Sequence, residues 1–452
     1  MTIVSQDKPS VNVVLRDEYT TQTEDLYSLE EPLVLYVTGT NQNLHNDLTT
    51  IEDVLGSKLD PIILDLYNIA LIVYVWDQQT IRSGLGPRYF SALMSVSNKD
   101  KWNSVKSRLE DTLRFLTGDT FNFEFVQGAP SKEEFRFQKK SEKCVALFSG
   151  GLDSLAGVKW VKNEKLDPIL VSHPGMGLIS DAQKELVSSL QSPMGKNLEW
   201  YQIRATAKPG TNLAAREYTE FSRSFLYITL GIIFALKIGI ERQFVFENGI
   251  LALNIPLTQS RIYGNTRTVH PKFTAMYQEL LDVLFGHHVT IENPFSKMTK
   301  GEVVKLLDSD GFRDLVRMTV SCPNVTRLRY KKVSISKTRH CGVCFPCIVR
   351  RTAIHYANLW NYDALYADDI TSAYSNIPGE GRKIIFEMMD FARQIDKYPH
   401  LDEALNEIPE FYCGEVINPE QLFEMAKRNV TQFKDFLITR CDKSLLQNLK
   451  LP

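Results

Sequence analysis

The chain has 452 residues, which is enough for two or three domains, and its 43% hydrophobic and 23% charged content excludes an intrinsically disordered protein. The formal net charge of −2 argues against a broad nucleic-acid-binding surface, although it does not exclude a local basic groove. Seven cysteines are an odd number, and four of them fall between residues 322 and 347, which suits a reducing compartment and one metal site better than a disulfide framework.

No targeting or membrane-spanning segment is expected. The first eight residues lack a basic start followed by an apolar core. The most apolar run, residues 225–240, is shorter than the ~20 residues that a span needs, and Lys237 interrupts it. We therefore expect a cytoplasmic protein in which this run is a buried helix.

Residues 1–140 predict a separate N-terminal α+β module. Apolar runs at 33–37 and 89–96 predict strands, and the segment 64–82 predicts a helix. A second helix is expected around residues 102–116, with Gly118 as its C-cap, before an alternating strand at 121–125. The module shows no catalytic constellation, so it would bind a partner or cover the active site. The polar stretch 128–143 is the predicted linker.

The most informative stretch is an apolar run that ends in Ser-Gly-Gly-Leu-Asp-Ser at residues 149–154 and continues as an amphipathic helix to about residue 162. The glycines allow a sharp turn and a close approach of a ligand. The loop amides and the helix N-terminus would attract an anion. Ser149 and Ser154 add hydroxyl donors, and Asp153 could help to hold Mg²⁺ or the helix start. An ordinary strand–turn–helix junction is the alternative.

Residues 141–320 alternate short apolar runs with helices, which predicts a parallel α/β sheet. Strands are expected at 168–172, 198–203, 243–246 and 289–291, and helices at 181–190 and 216–240. Ligands of such sheets bind beyond the carboxyl ends of the strands. The loops after Phe148, Ser172, Ile203 and Phe246 are therefore predicted to face one pocket.

Several polar residues are candidates for that pocket. Arg223 could reach a phosphate, Glu247 and Asn248 could read a nucleobase, and the polar loop 261–271, with Arg267 and His270, could bind a substrate. A capped helix or a solvated loop explains each of these equally well. Lys300 could face phosphate, although the capping-box spacing of residues 299–302 is a sufficient structural reason for its place.

Three cysteines follow as Cys341, Cys344 and Cys347, and Cys322 lies 19 positions before the first of them. Four thiolates suit a closed, structural Zn²⁺ site. An iron–sulfur cluster also uses four cysteines, and unliganded packing cysteines are the remaining alternative. Residues 321–452 are therefore predicted to form a zinc-binding, helical C-terminal region.

The loop at 149–154 resembles the pyrophosphate loop (PP-loop) of ATPases that cleave ATP to AMP and pyrophosphate. Together with the cysteine pattern, the chain from about 143 to 358 resembles the 7-cyano-7-deazaguanine synthase (QueC) family. The resemblance implies an adenine nucleotide alpha hydrolase-like fold, ATP, Mg²⁺, a structural zinc ion and a 7-carboxy-7-deazaguanine substrate.

Carried over by position, the resemblance implies that zinc is bound by Cys322, Cys341, Cys344 and Cys347. It implies that the nucleotide is bound by Ser149, Gly150, Gly151, Leu152, Asp153 and Ser154. Asp153, Arg223 and Lys300 are the candidate catalytic residues, and Glu247, Asn248, Arg267 and His270 are the candidate substrate-binding residues.

Three features depart from the biosynthetic enzymes: a more distant first zinc cysteine, a replaced base-reading loop at 247–257, and the additional front module. They resemble the QueC-like proteins of bacterial anti-phage defence systems, of the QatC type. We therefore expect adenylation of a 7-deazaguanine carboxylate and transfer of the acyl group to an amine of a partner protein. The alternatives are a synthase that uses ammonia, a tRNA-modifying PP-loop enzyme and a non-catalytic nucleotide sensor.

Overall fold

In the computed structural model the described residues are 10–16, 33–36, 44–82, 86–128, 135–174, 177–207, 221–258, 267–324, 338–413 and 416–452. Residues 261–266 of the predicted substrate loop lie outside them, as does the first part of the helix predicted at 216–240. Among these residues, no helix has both the length and the apolar character needed to cross a membrane.

The N-terminal part, here called the front module (residues 1–140), contains a parallel sheet with helices. Its described elements are β1 (Ser10–Arg16), β2 (Leu33–Tyr36), β3 (Leu44–Asn46), α1 (Leu48–Leu55), α2 (Pro61–Gln79), β4 (Tyr89–Val96), α3 (Lys99–Thr117) and β5 (Thr120–Gln127). Four strands pair in the order β2-β1-β4-β5, and each pair is parallel. The predicted α+β arrangement is thus replaced by an α/β one, since parallel neighbours need crossover connections. The alternation in β5 arises because one face of this outer strand is exposed.

The central sheet is parallel as predicted. Its region contains β6 (Cys144–Leu147), α4 (Leu152–Asn163), β7 (Pro168–Ser172), α5 (Gly177–Met194), β8 (Glu199–Gln202), β9 (Ala205–Ala207), α6 (Arg223–Ile238), β10 (Arg242–Phe244), α7 (Gly249–Ala252), α8 (Pro271–Phe285), β11 (Thr290–Glu292) and α9 (Lys300–Lys305). The strand order is β11-β10-β6-β7-β8. From β6 the chain adds β7 and β8 on one side, and it then adds β10 and β11 on the other side. The strand order therefore reverses between β6 and β10, and this position is the switch point of the sheet.

Helices cover both faces of the central sheet. On one face, residues of α6 and α8 join Val145, Ile169 and Val171 in a hydrophobic core. On the other face, α4, α5 and α9 pack around Ala146 and Leu170. Helix α6 is almost completely buried, which confirms that the apolar run at 225–240 is an internal helix.

The C-terminal region is mainly helical, as predicted. Its elements are β12 (Thr338–His340), α10 (Phe345–Tyr356), β13 (Leu365–Tyr366), α11 (Gly379–Lys397), α12 (Leu401–Leu405), α13 (Pro419–Arg440) and α14 (Lys443–Leu449), with short 3₁₀ helices at Arg313–Met318, Trp360–Tyr362, Tyr374–Asn376 and Pro409–Phe411. Arg350 in α10 is fully buried and bonds to Asp363 at 2.8 Å and to Thr319 Oγ1 at 2.7 Å. These bonds fix α10 against the segment that leads to Cys322.

The front module shares its core with the central domain. Residues of α2 and α3 lie in the same hydrophobic cluster as those of α6 and α8. In addition, β3 pairs with β9 in an antiparallel ladder, with Leu44 opposite Ala207. The proposed domain limits 1–140, 141–320 and 321–452 stay predictions, but the first two regions are in close contact along α2.

Candidate functional site

A cavity of about 540 Å³ opens beside the carboxyl ends of β6, β7 and β10. It lies at the switch point of the sheet, where open α/β sheets bind their ligands. Of the four loops predicted to face one pocket, those after Phe148, Ser172 and Phe246 contribute to its wall. The described residues directly after Ile203 do not line it, and residues 205–207 form β9, which pairs with the front module.

The glycine loop joins β6 to α4 at the mouth of this cavity. Gly150 has a φ of +81°, which favours glycine. Ser149 Oγ and Ser154 Oγ lie 3.2 Å apart, and both hydroxyls line the cavity. Gly151 is the N-cap of α4 and supplies no side chain to satisfy the first helical amides. Such an uncapped N-terminus beside two hydroxyls is a suitable anion site.

Gln183 of α5 holds the loop from behind. Its Nε2 donates to Ser149 O at 3.1 Å and to His173 O at 3.2 Å, and its Oε1 accepts from Gln202. A Cβ added at Gly150 would lie 3.0 Å from the Gln183 side chain. Sequence analysis missed this residue, although it lies on the helix predicted at 181–190.

Asp153 is the centre of a buried polar cluster. Its Oδ2 accepts from Lys300 Nζ at 2.7 Å and from Asn248 Nδ2 at 3.0 Å. Burial alone would raise the pKa of Asp153, but the charge of Lys300 and hydrogen bonds that include those from Lys300 and Asn248 outweigh it and lower this pKa below its usual value. Asp153 is therefore anionic at neutral pH, and Lys300 is next to it on the cavity wall.

The second oxygen of Asp153, Oδ1, is buried and has no hydrogen-bond partner among the described residues. Glu247 is adjacent and lines the same cavity. Two carboxylates with an unsatisfied oxygen fit a hard divalent cation such as the predicted Mg²⁺.

Asn248 has a structural task in this cluster. Its Nδ2 donates to Asp153 and, at 3.2 Å, to Glu247, while its Oδ1 accepts from Leu251 N at the start of α7. Both atoms of the Asn248 side-chain amide thus form hydrogen bonds within the protein. In this structure Asn248 therefore orients Asp153 and Glu247, and its role in reading a nucleobase stays a prediction.

Another part of the cavity wall is aromatic and basic. Arg223 and Tyr227 of α6 line it, as does His173 directly after β7. The His173 ring stacks on Tyr227 with a centroid distance of 4.7 Å, and its Nε2 lies 3.0 Å from Ala205 O. Burial lowers the pKa of His173 to about 4, so this imidazole is neutral at physiological pH. His173 was not singled out from the sequence, although its loop was predicted to face the pocket.

Arg267 and His270 do not join the other candidates. Arg267 Nη1 donates to Phe115 O at 2.6 Å, and its guanidinium lies over the Phe115 ring. His270 caps α8 by accepting from Lys272 N at 3.1 Å. Both side chains pack against Phe115 in α3 of the front module, which gives each of them a structural role, and the substrate-binding role stays a prediction. Thr268 and Val269, between them, do line the cavity.

The four clustered cysteines converge in a buried site. Their Sγ atoms all lie within 4.8 Å of one another, with Cys322–Cys344 and Cys341–Cys347 at 3.8 Å and Cys344–Cys347 at 3.4 Å. Four sulfurs at about 2.3 Å from one zinc ion would stand about 3.8 Å apart. The four cysteines of the sequence pattern therefore form a compact cluster whose sulfur spacing suits one zinc ion.

The amides around this cluster support thiolate ligands. Cys341 N donates to Cys322 Sγ and Cys344 N donates to Cys341 Sγ, each at 3.4 Å. Hydrogen bonds from the neighbouring thiols lower the pKa of Cys341, whereas those around Cys344 raise its pKa. Four thiolates this close together require a cation, so the residues fit a structural Zn²⁺ ion. The other three cysteines, Cys144, Cys413 and Cys441, are free thiols elsewhere.

The cysteine cluster and the glycine loop are in contact. Val320 N donates to Gly150 O at 3.1 Å, and Cys322 follows two residues later. Cys322, Phe345 and Pro346 also line the cavity. The segment 320–322 is thus part of both sites.

The fold and this geometry define a class: a parallel α/β protein with an anion-binding loop at the switch point and a tetrathiolate site beside it. Residues 221–358 match the family model described as "Queuosine biosynthesis protein QueC". The chain therefore contains a QueC family domain, which extends from the start of α6 past α10 and includes all four clustered cysteines. No curated protein matches the chain.

Proposed function

We propose that this chain is an ATP-dependent synthase that adenylates a 7-deazaguanine carboxylate and transfers the acyl group to an amine. The observation that carries the proposal is the cavity in which the uncapped start of α4, Asp153, Lys300 and Arg223 meet. The QueC family domain supports the reaction class, since enzymes of this family are ATP-dependent synthases that form C–N bonds.

In this proposal the chain contributes positions and charges. The loop amides and the hydroxyls of Ser149 and Ser154 bind the departing pyrophosphate. The substrate carboxylate attacks the α-phosphorus, which forms an acyl adenylate and releases pyrophosphate. An amine then attacks the acyl carbon, forms the amide, loses one proton and releases AMP. Lys300 and Arg223 balance the negative charge in the first step, and Asp153 holds Lys300 in place at 2.7 Å.

Two lysines of α9 give a matched test. We expect Lys300→Met to lower pyrophosphate release from ATP and 7-carboxy-7-deazaguanine at least a hundredfold, because it removes a cation from the cavity wall. Lys305→Met should keep the rate within twofold, since Lys305 pairs with Asp308 at the surface. Pyrophosphate and AMP are quantified by chromatography. Release of ADP and inorganic phosphate, or an unimpaired Lys300→Met enzyme, would contradict the proposal.

We further propose that the acceptor is an amine of a partner protein and that the chain acts in an anti-phage defence system of the QatC type. The motivating observations are the additional 140-residue front module, the distance between Cys322 and Cys341, and the sequence of the loop 247–257. A protein amine gives an N-substituted amide, which cannot lose water to form a simple nitrile. The product would therefore be a stable conjugate.

A synthase that uses ammonia is the second candidate, and the QueC domain favours it. Ammonia gives a primary amide, which a second activation can dehydrate to the nitrile. Incubation with ATP, the carboxylate and ammonium, with and without proteins encoded beside this chain, separates the two. A mass increase on a partner protein supports the conjugate, whereas rapid nitrile formation without any adduct decides for the ammonia-dependent synthase.

A further inference from the structure

Helices α2 and α6 run antiparallel, and polar bonds join both ends of their contact. At one end, Lys237 Nζ of α6 lies 2.9 Å from Asp60 Oδ2, just before α2. At the other end, Asp77 Oδ2 of α2 accepts from Ser222 N at 2.7 Å and from Ser222 Oγ at 2.8 Å. Arg223, the residue after Ser222, lines the cavity, whereas Lys237 does not. Of the two ends, only the one at Ser222 therefore lies next to the cavity.

Asp77 is fully buried, and its charge is balanced within the front module. Its Oδ1 accepts from Arg88 Nη2 at 2.6 Å, and Arg88 Nη2 also bonds to Asp119 at 2.7 Å. The other oxygen is thereby directed at α6. Ser222, the N-cap of α6, makes no capping bond with its own side chain. A carboxylate from another helix therefore stabilises this helix start, where negative charge is favourable.

Residues of α6 form part of the cavity wall, and a residue of α2 packs against His173, which also lines the cavity. Arg223, Ser224 and Tyr227 lie in the first turns of α6 and line it. Tyr74, one turn before Asp77 on α2, packs edge-on against His173 with a centroid distance of 5.9 Å. His173 in turn stacks on Tyr227. The front module thus contacts both the N-terminus of α6 and the aromatic side of the cavity.

We propose that Asp77 is a positioning residue for the nucleotide site, which holds the first turn of α6 and so fixes Arg223 at the cavity. The inference rests on the proposed ATP-dependent activity. It means that the front module, through Asp77, positions a residue of the nucleotide site. Asp77 contacts no reacting group; it acts through Ser222 and the backbone of α6.

A double-mutant cycle tests this role. We expect Asp77→Asn to weaken ATP binding, measured by calorimetry, at least tenfold in the wild-type background. In the Arg223→Ala background the same substitution should change the dissociation constant by less than twofold, because the side chain it positions is gone. Lys237→Met is the matched control: it cuts the other end of the same helix contact and should leave ATP affinity within twofold. Equal losses in both backgrounds, or an equal loss in Lys237→Met, would overturn the proposal.

Hydrogen exchange of the amides at 223–227, measured without nucleotide, separates this inference from the proposed function. Asp77→Asn should accelerate their exchange at least tenfold relative to Lys237→Met. If the wild-type chain neither binds nor cleaves ATP, the proposed function fails, while exchange still decides whether Asp77 holds this turn. Unchanged exchange refutes the inference whatever the ATP assay gives. If Asp77→Asn does not fold, Ser222→Ala removes one of the two bonds, leaves the Arg88 pair intact and should produce a smaller change in the same direction.

Discussion

At the scale of single residues, two buried histidines make stability depend on pH. Burial lowers the pKa of both His173 and His270 from 6.5 to about 4. The unfolded chain therefore binds protons more readily, so the stabilisation is complete above pH 6.5 and is lost as the pH falls towards 4. By linkage, each histidine should cost on the order of 1–2 kcal/mol of unfolding free energy at pH 5 relative to pH 7.5.

His270→Asn tests this prediction, because asparagine can still accept the capping bond from Lys272 N but does not titrate. We expect the variant to lose about 1–2 kcal/mol less unfolding free energy than the wild type between pH 7.5 and pH 5. Urea denaturation at the two pH values provides the measurement. An identical loss in both proteins would show that His270 is not responsible.

Single residues also mark the limit of what could be predicted from the sequence. The four cysteines and the loop at 149–154 were located because their spacing is local. The partner of Lys300 was not, since Asp153 lies 147 positions earlier in the chain. The contacts of Arg267 and His270 could not be predicted for the same reason, since Phe115 of the front module, which packs against both, lies 152 positions before Arg267.

At the scale of elements, adjacent glycines in the loop between β6 and α4 have different tasks. Gly150 has a positive φ, and a Cβ added there would lie 3.0 Å from the Gln183 side chain, whereas Gly151 has an ordinary φ of −90° and lines the cavity. Gly150→Ala should therefore cost roughly 1–2 kcal/mol of unfolding free energy because it forces a left-handed alanine. Gly151→Ala should leave stability within about 0.5 kcal/mol but weaken ATP binding, since its Cβ enters the anion site. Denaturation should show the larger loss of stability in Gly150→Ala, and calorimetry should show weakened ATP binding in Gly151→Ala. Equal losses of stability in the two variants would contradict the prediction.

Elements differ in how well their sequences revealed them. The bounds predicted for β4 and β7 match those in the structure. Buried strands between helices are recognisable in a sequence because their apolar residues are either continuous or regularly alternating. The order β11-β10-β6-β7-β8 could not be read from these runs, since strand pairing depends on contacts far apart in sequence. The parallel pairing in the front module was missed for that reason, and so was the ladder between β3 and β9.

At the scale of the whole molecule, the cysteine cluster should hold the C-terminal region together. We expect one Zn²⁺ per chain and its loss in Cys344→Ser, with a lower unfolding midpoint, because structural zinc contributes directly to folding free energy. Cys413→Ser is the matched control: Cys413 is buried but remote from the cluster and should retain the metal. Elemental analysis of both proteins provides the measurement. Full zinc occupancy in Cys344→Ser would refute the assignment.

The hydrogen bond between Val320 N and Gly150 O has a thermodynamic consequence. Residues 320–322 serve the cysteine cluster and the glycine loop together, so whatever orders them at one site favours binding at the other. Coupling of this kind is reciprocal: the factor by which zinc tightens ATP binding is the factor by which ATP tightens zinc binding. Competition with a calibrated chelator should show higher zinc affinity at saturating ATP. Equal zinc affinities with and without ATP would show that the sites are independent. If they are coupled, the nucleotide affinity of this protein will follow the zinc supply of the cell.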